Sequence, residues 1–174
     1  KYLFVSAPGY LNDTGLVHVY TWGIGADGST YDTWTQVMQI QSEDADAGQR
    51  FGHRIKINDN GDILAVASIA PGQAGKVEIF TRSSVTNDDS TQYLWTQRQT
   101  LTGASSDGSS LNTAFGQDIA MNKDGTRLFV SAPGYDKTNQ ADAGAVYYYA
   151  WNVDGSTNTF TLQQTIQAPD LQTN

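Results

Sequence analysis

Short apolar runs separated by polar turn residues recur along the whole chain. Residues 3–10 (LFVSAPGY) are repeated letter for letter at residues 128–135, and residues 64–72 (LAVASIAPG) are the same word with two residues inserted. Gly, Asn, Asp and Ser fill the gaps between the runs, which is typical of turns between strands. The pattern predicts an all-β chain that contains an internal repeat.

Every copy of this repeated word is followed by the same landmarks. A run of the type Gly-x-Val-x-Val-Tyr begins at Gly15, Gly75 and Gly144, and a further run then begins at Trp34, Trp95 and Phe160. A Phe-Gly run precedes the second and third copies, at residues 51–61 and 115–125. The period is 61 to 65 residues when measured between Trp34, Trp95 and Phe160, which predicts one unit of four strands per repeat. The Phe-Gly run is predicted to begin the first strand, and Gly61 and Gly125 to supply positive φ in the hairpin that follows.

The second and third strands of each unit are apolar at successive positions, as in ILAVASI and AVYYYAW. A sheet that is covered on both faces requires such strands. Four-stranded antiparallel sheets stacked face to face are the blades of a β-propeller. The blades are assigned to residues 1–50, which lack the first strand, and to 51–114 and 115–174, which are complete. Eleven strands make about 2.75 blades, too few to close a ring, so we expect a segment of a larger propeller or a ring completed by several copies.

Phe-Gly in the first strand, Ala-Pro after the second and Gly-x-Val-x-Val-[Tyr/Phe] in the third resemble the FG-GAP repeat of integrin-α-type β-propellers. The resemblance covers essentially the whole chain. It implies a seven-bladed propeller that acts in adhesion or recognition outside the cell. The run NKDGTRLFVSAPGYD at residues 122–136 is similar to bacterial and bacteriophage members, which implies a virion structural protein such as a phage tail component.

Integrin-like blades often hold Ca²⁺ in the turn between the first two strands. The corresponding turns here, Asn58–Asp62 and Asn122–Gly125, are too short and too poor in carboxylates to supply six or more oxygen ligands. We therefore predict no calcium, no other metal and no cofactor. The remaining acidic groups are predicted to cap turns, although a loose calcium site at one of them is the alternative. They are Asp44 with Asp46, Asp88 with Asp89, and Asp136 with Asp142.

The composition of the chain argues against several kinds of partner and activity. The formal net charge is −8, which argues against nucleic acid and anionic membranes as partners, and no apolar run is long enough to span a membrane. The chain has no cysteine, so disulfides and thiolate metal sites are excluded. No nucleophile elbow, zinc-binding motif or phosphate-binding loop is present, and we predict that the chain is not an enzyme.

Long loops after the third strand form the candidate binding surface, because binding residues often lie on loops of a rigid scaffold. Trp22 and Trp151 stand at the roots of these loops, in the first and last repeats. Trp34, Trp95 and Phe160 are predicted to pack between blades. His18 and His53 are predicted to lie at the surface. The other repeats carry Lys or Glu near the position of His18 and Gln at the position of His53. The binding residues assigned are Trp22, Asp27, Tyr31, Trp151, Asp154, Tyr10 and Tyr135.

The sequence thus predicts a non-enzymatic propeller scaffold of an extracellular or virion surface protein. Its loops would mediate adhesion, recognition or structural assembly, with a protein or glycan as the surface partner. Two alternatives remain open. The blades would serve a catalytic domain outside this segment, or several copies of the chain would assemble into rings or filaments.

Overall fold

A computed structural model describes residues 2–24, 32–44, 46–87, 90–104, 112–138, 141–153 and 158–168. The described chain forms three separate antiparallel sheets, in which the strand order follows the sequence. The first sheet contains β1 (Tyr2–Ala7), β2 (Leu16–Ile24) and β3 (Asp32–Ile40), with one short helical turn, α1 (Tyr10–Asp13), after β1. The second contains β4 (Arg54–Ile57), β5 (Ile63–Ser68), β6 (Lys76–Asn87) and β7 (Ser90–Leu101). The third contains β8 (Ile119–Met121), β9 (Arg127–Ala132), β10 (Ala145–Val153) and β11 (Asn158–Gln167).

The three sheets share their internal details. Within the described residues there are eleven strands, in agreement with the repeat count. The pairing of the last two strands shifts register at the same place in each sheet, after Val19, Ile79 and Tyr148. Gly61 and Gly125 adopt φ of +66° and +72° in the hairpins that lead into β5 and β9, as predicted. The repeat in the sequence is therefore a repeat in the structure.

The second sheet lies between the other two, and the two sides of β5 show this. Leu64 and Val66 belong to a core cluster with Val17 and Val19 of the first sheet. Ala65 and Ala67 belong to a second cluster, which contains residues of the third sheet. All six residues of β5 are buried. The prediction that this strand is covered on both faces is confirmed.

The repeated word is buried on opposite sides in its two identical copies. Leu3 and Val5 are exposed in β1, whereas their counterparts Leu128 and Val130 are fully buried in β9. Phe129 is exposed, whereas its counterpart Phe4 packs against the second sheet. The first and third sheets are thus each covered on one side only, the side that faces the second sheet.

The Phe-Gly dipeptides do not begin strands, which corrects the prediction. Strands β4 and β8 start at Arg54 and Ile119, several residues later. Gly52 and Gly116 adopt φ of +90° and +91°, a backbone conformation that turns the chain before the strand begins. Each dipeptide instead joins two sheets, and we call this arrangement the Phe-Gly clasp.

In the first clasp, the Phe51 N–H donates to the Thr14 carbonyl at 3.1 Å, and the Gly52 N–H donates to the Ala67 carbonyl at 3.1 Å. Gly15, with φ of +86°, forms a parallel bridge with Phe51. The Phe51 ring is fully buried between the first two sheets. A peptide segment that hydrogen-bonds to both neighbours fixes how one sheet is placed on the next.

The second clasp repeats this geometry one sheet further along. The Phe115 N–H donates to the Ala74 carbonyl at 2.7 Å, and the Gly116 N–H donates to the Ser131 carbonyl at 2.8 Å. The Phe115 ring lies edge-on to Tyr147, with centroids 5.1 Å apart. Both clasps require a glycine on the receiving sheet, because a Cβ on Gly15 or Gly75 would overlap the backbone of the incoming phenylalanine.

Candidate functional site

Trp22 and Trp151, which lie where the long loops begin, each contact an aromatic residue on the adjacent strand. Trp22 pairs with Trp34 across β2 and β3, with ring centroids 5.3 Å apart, and both rings are exposed. Trp151 pairs with Phe160 across β10 and β11 at 4.8 Å, and its ring is half-buried against the core. Trp22 therefore presents the larger apolar surface of the two.

The three aromatic residues predicted to pack between blades differ in burial, depending on the sheet to which each belongs. Trp95 packs edge-on to Phe4 of the first sheet at 5.6 Å. Phe160 is buried beside the second sheet, where its N–H and carbonyl bond the Gln99 side chain at 2.8 Å each. Trp34 is 40% exposed, because this side of the first sheet is the uncovered one. The packing prediction is confirmed for Trp95 and Phe160 and is wrong for Trp34.

Tyr10 and Tyr135 occupy the same place in the repeated word but differ in environment. Tyr10 lies in α1 and is exposed, so its ring is accessible. Tyr135 is only 5% exposed, since it packs against Tyr147 and its hydroxyl accepts a hydrogen bond from Gln167 Nε2 at 2.9 Å. Tyr135 is thus a core residue and not a surface contact, which corrects its assignment as a binding residue.

The other three assigned residues, Asp27, Tyr31 and Asp154, lie outside the described residues. The structure accordingly brings none of the assigned side chains together into one described site. Trp22 and Tyr10 are the two exposed members at described positions.

An aromatic cleft between the first and second sheets was not anticipated. It is a cavity of about 480 Å³ whose walls include Tyr2, Val19, Met38, Tyr93, Leu94 and Trp95. The Arg82 guanidinium lies over the rings of Tyr2 and Tyr93, 5.1 and 4.7 Å from their centroids. Such a cavity is of the size that small ligands occupy, and aromatic walls beside a cation suit a ligand with an apolar face and an acceptor group.

Arg82 occupies a position at which the three repeats differ. Arg82 pairs with Trp95 in the second sheet, at the place that Trp22 and Trp151 occupy in the other two. Its N–H donates to the Asp62 carbonyl at 2.9 Å, and its side chain donates to the Asn60 carbonyl at 3.3 Å. The replacement of Trp by Arg at this position of the second repeat is the feature of the sequence that singles out Arg82.

A buried carboxylate lies on the side of the second sheet that faces the first. Glu78 is fully buried, and its oxygens accept hydrogen bonds from Ser42 at 2.8 Å and Ser68 at 3.5 Å. Lys76 Nζ lies 3.5 Å from Glu78 Oε2 and 3.6 Å from Asp44 Oδ2. Glu78 aligns with His18, so the inference that this position favours exposed side chains is wrong for the second sheet. The cluster ties the segment after β3 to β6.

His53 is half-buried just before β4, and its Nε2 atom is buried with no described hydrogen-bond partner. Desolvation, followed by the positive charges of Arg54 and Arg50, lowers the pKa of His53 below its usual 6.5. The neutral imidazole is therefore the stable form at neutral pH. Burial also raises the pKa values of Tyr147 and Tyr149, and the Tyr147 hydroxyl donates a hydrogen bond to the Ala104 carbonyl at 2.6 Å.

The hairpin turns use their polar side chains internally. Asn58 Oδ1 accepts hydrogen bonds from the N–H groups of Asp62 and Ile63, each at 3.0 Å. Asn122 Oδ1 does the same for the Arg127 N–H at 2.8 Å. Asp136 Oδ1 likewise accepts from the Asp142 N–H at 2.8 Å. Among the described residues, no group of three or more His, Cys, Asp or Glu side chains is placed to hold a metal ion.

These features define an all-β chain of stacked, blade-like antiparallel sheets joined by Phe-Gly clasps. A family model described as FG-GAP repeat matches residues 95–149, just under a third of the chain. The match includes the Phe115–Gly116 dipeptide of the second clasp and the copy of the word at residues 128–135, and it supports the resemblance to the FG-GAP family. No curated protein matches the chain. None of the described helices has the length and apolar character of a membrane span.

Proposed function

We propose that the chain is a non-enzymatic, propeller-type scaffold of an extracellular or virion surface protein, which recognises a protein or glycan. The observation that supports the proposal most strongly is the stacking of three like sheets, in which the middle sheet is covered on both faces. Such a stack holds its loops in fixed positions, and rigid scaffolds with variable loops commonly serve recognition. The FG-GAP match supports the same class of protein.

The proposed recognition surface combines the exposed aromatic rings with the aromatic cleft. Trp22 and Tyr10 offer apolar surface to a partner, and Arg82 offers a cation beside the rings of Tyr2 and Tyr93. Aromatic and Arg side chains dominate binding energy at protein interfaces, and aromatic faces also stack on apolar faces of other ligands. The net negative charge of the chain favours a protein or glycan over nucleic acid as the partner.

Immunogold labelling of intact producing cells, and of the particles that they release, tests the location. An antibody against the chain should label intact surfaces, and protease treatment of those surfaces should remove the label. Labelling only after lysis would contradict the extracellular or virion role. Binding to a panel of glycans and surface proteins tests recognition. Trp22→Ala is the variant expected to bind more weakly, and Leu162→Ala, at an exposed position outside the proposed surface, is the comparison.

Self-assembly is the second candidate function, and the exposed faces at both ends of the stack favour it. Leu3 and Val5 at one end, and Phe129 and Ile166 at the other, are exposed apolar side chains. Sedimentation over a range of chain concentrations distinguishes this candidate, because only a self-assembling unit would grow in mass with concentration.

A further inference from the structure

Apolar side chains form most of the wall of the aromatic cleft between the first and second sheets. Val19 lies on β2, Val37 and Met38 on β3, and Leu94 and Trp95 on β7. Val37 and Leu94 are 53% and 46% exposed, whereas Val19 is 1% exposed. The cleft therefore leads from an accessible mouth at β3 and β7 to a buried floor on β2. Its volume of about 480 Å³ is within the range of small-ligand sites.

Two tyrosine rings that line this cleft also hold a cation. Tyr2 and Tyr93 meet edge-on with centroids 5.9 Å apart, and the Arg82 guanidinium carbon lies 5.1 and 4.7 Å from them. A guanidinium is stabilised over aromatic faces, and this position removes part of its water. A partly dehydrated positive charge thus lies at a defined place beside an apolar cleft.

Arg82 forms no ion pair with any described residue. Its described side-chain hydrogen bond runs from Nη2 to the Asn60 carbonyl at 3.3 Å, whereas a guanidinium carries five N–H donors. The Asp62 carbonyl accepts from the Arg82 backbone, but the Asp62 carboxylate accepts from Asn58 Nδ2 at 2.6 Å. Donors of Arg82 therefore remain for an anionic ligand.

The walls distinguish an aromatic ring from a sugar as the apolar part of such a ligand. A sugar carries hydroxyls around its ring. Against Val19, Met38 and Leu94, most of these would lose water without gaining a hydrogen bond, which is unfavourable. An aromatic ring has no such groups and packs favourably against Tyr93 and Trp95. The side chains of the cleft therefore favour an aromatic acid.

We infer that the aromatic cleft binds a small aromatic monocarboxylate. The ring lies between Met38 and Trp95, and the carboxylate accepts charge-assisted hydrogen bonds from Arg82, whose planar fork matches it in shape. The net charge of the chain is −8, but exposed charges are screened beyond about 8 Å at physiological ionic strength, so the adjacent cation decides. The inference rests on the proposed recognition surface and names the ligand class that its cleft takes.

Titration of the ¹⁵N-labelled chain with phenylacetate, followed by amide NMR shifts, tests the site. Saturable shifts at Thr21, Met38 and Trp95 are expected, with Kd below about 1 mM. Phenylacetamide has the same ring without the charge and should bind at least about tenfold more weakly. Equal binding of the acid and the amide, or no shifts with phenylacetate, would overturn the inference. Tighter binding of glucuronate than of phenylacetate would overturn it too, because the occupant would then be an acidic sugar.

Arg82→Gln tests the role of the cation. It should weaken phenylacetate binding at least about tenfold and leave phenylacetamide binding within about twofold. Arg98→Gln is the control, because it removes the same charge from β7 at an exposed position outside the cleft and should bind as the parent does. Equal losses for the two ligands would show that Arg82 only supports the shape of the cleft, and the inference would be wrong.

Val37→Glu provides a second test that leaves Arg82 in place. Val37 is exposed at the mouth, so the added carboxylate is tolerated there and repels an anionic ligand. Phenylacetate binding should weaken at least about tenfold. Val85→Glu is the control, since Val85 is 45% exposed on β6 outside the cleft, and equal binding by both variants would contradict the site. Surface labelling does not depend on these side chains, so failure of the ligand site and failure of the scaffold role are separate results.

Discussion

Gly75→Ala should destabilise the chain more than its backbone conformation alone requires. Gly75 adopts φ of +78°, and an L-residue in this left-handed region costs about 1–2 kcal/mol. The added methyl group would also overlap the Phe115 carbonyl. That carbonyl cannot easily move, because the neighbouring N–H groups of Phe115 and Gly116 are bonded to Ala74 and Ser131. Overpacking of this kind adds about 1–3 kcal/mol, so we expect a total of about 2–5 kcal/mol.

Urea denaturation followed by circular dichroism measures this difference. Gly48→Ala is the matched control, because Gly48 has φ of +85° and no atom within contact of its added methyl group. The control should lose only the conformational part, about 1–2 kcal/mol, with an unchanged dependence on urea. A domain whose stability lies in the upper part of the usual range of about 5–15 kcal/mol would keep both variants folded. If the two variants unfold at the same urea concentration, the clasp does not hold the second and third sheets together.

Three further outcomes are expected. Val130→Asp places a charge at a fully buried position of β9 and should lose about 4 kcal/mol or more, whereas a circular dichroism spectrum and urea midpoint equal to the parent's would contradict the core assignment. Because the pKa of His53 is lowered on folding, the unfolded chain binds more protons near pH 6.5, and stability should fall as pH drops through that value. His53→Gln, which carries the residue found at Gln117, should lose less melting temperature than the parent between about pH 7.5 and 5.5, and an equal loss would exclude His53 as the cause. Added calcium should leave the melting temperature unchanged, and a clear rise would show a metal site that the turns do not reveal.

The strands were predictable because their signals are local. Residues 63–68 are apolar at successive positions, and β5 is buried on both sides. Gly61 and Gly125 marked the hairpins, since few other residues adopt positive φ without strain. The repeat then supplied the strand number and the separation into three like sheets.

The Phe-Gly clasp was not predictable from one repeat alone. Phe51 looks like the start of the strand that follows it, but its N–H is bonded to Thr14 of the preceding sheet. Alignment of the repeats places Phe51 and Gly15 in different units, so no local pattern relates them. The contact is reflected in the sequence by the glycines at positions 15 and 75, where a side chain would overlap the incoming phenylalanine.

The candidate site was less predictable, because it depends on which neighbour each sheet has. Tyr10 and Tyr135 belong to identical words, yet one is exposed and the other is packed against Tyr147. Glu78 reads as a surface residue until Ser42, Ser68 and Lys76 are seen to satisfy its carboxylate. Partners of this kind come from distant parts of the chain, and sequence spacing does not identify them.

The opposite burial of the two identical words gives the stack a direction. Its leading surface presents Leu3 and Val5, and its trailing surface presents Phe129 and Ile166. Inside the chain, the trailing side of one sheet always packs on the leading side of the next. A twofold dimer would pair one surface with itself, so it could not reproduce these internal contacts. Copies joined as the sheets are joined would meet head to tail, and the rotation at each junction would then decide between a closed ring and an open fibre.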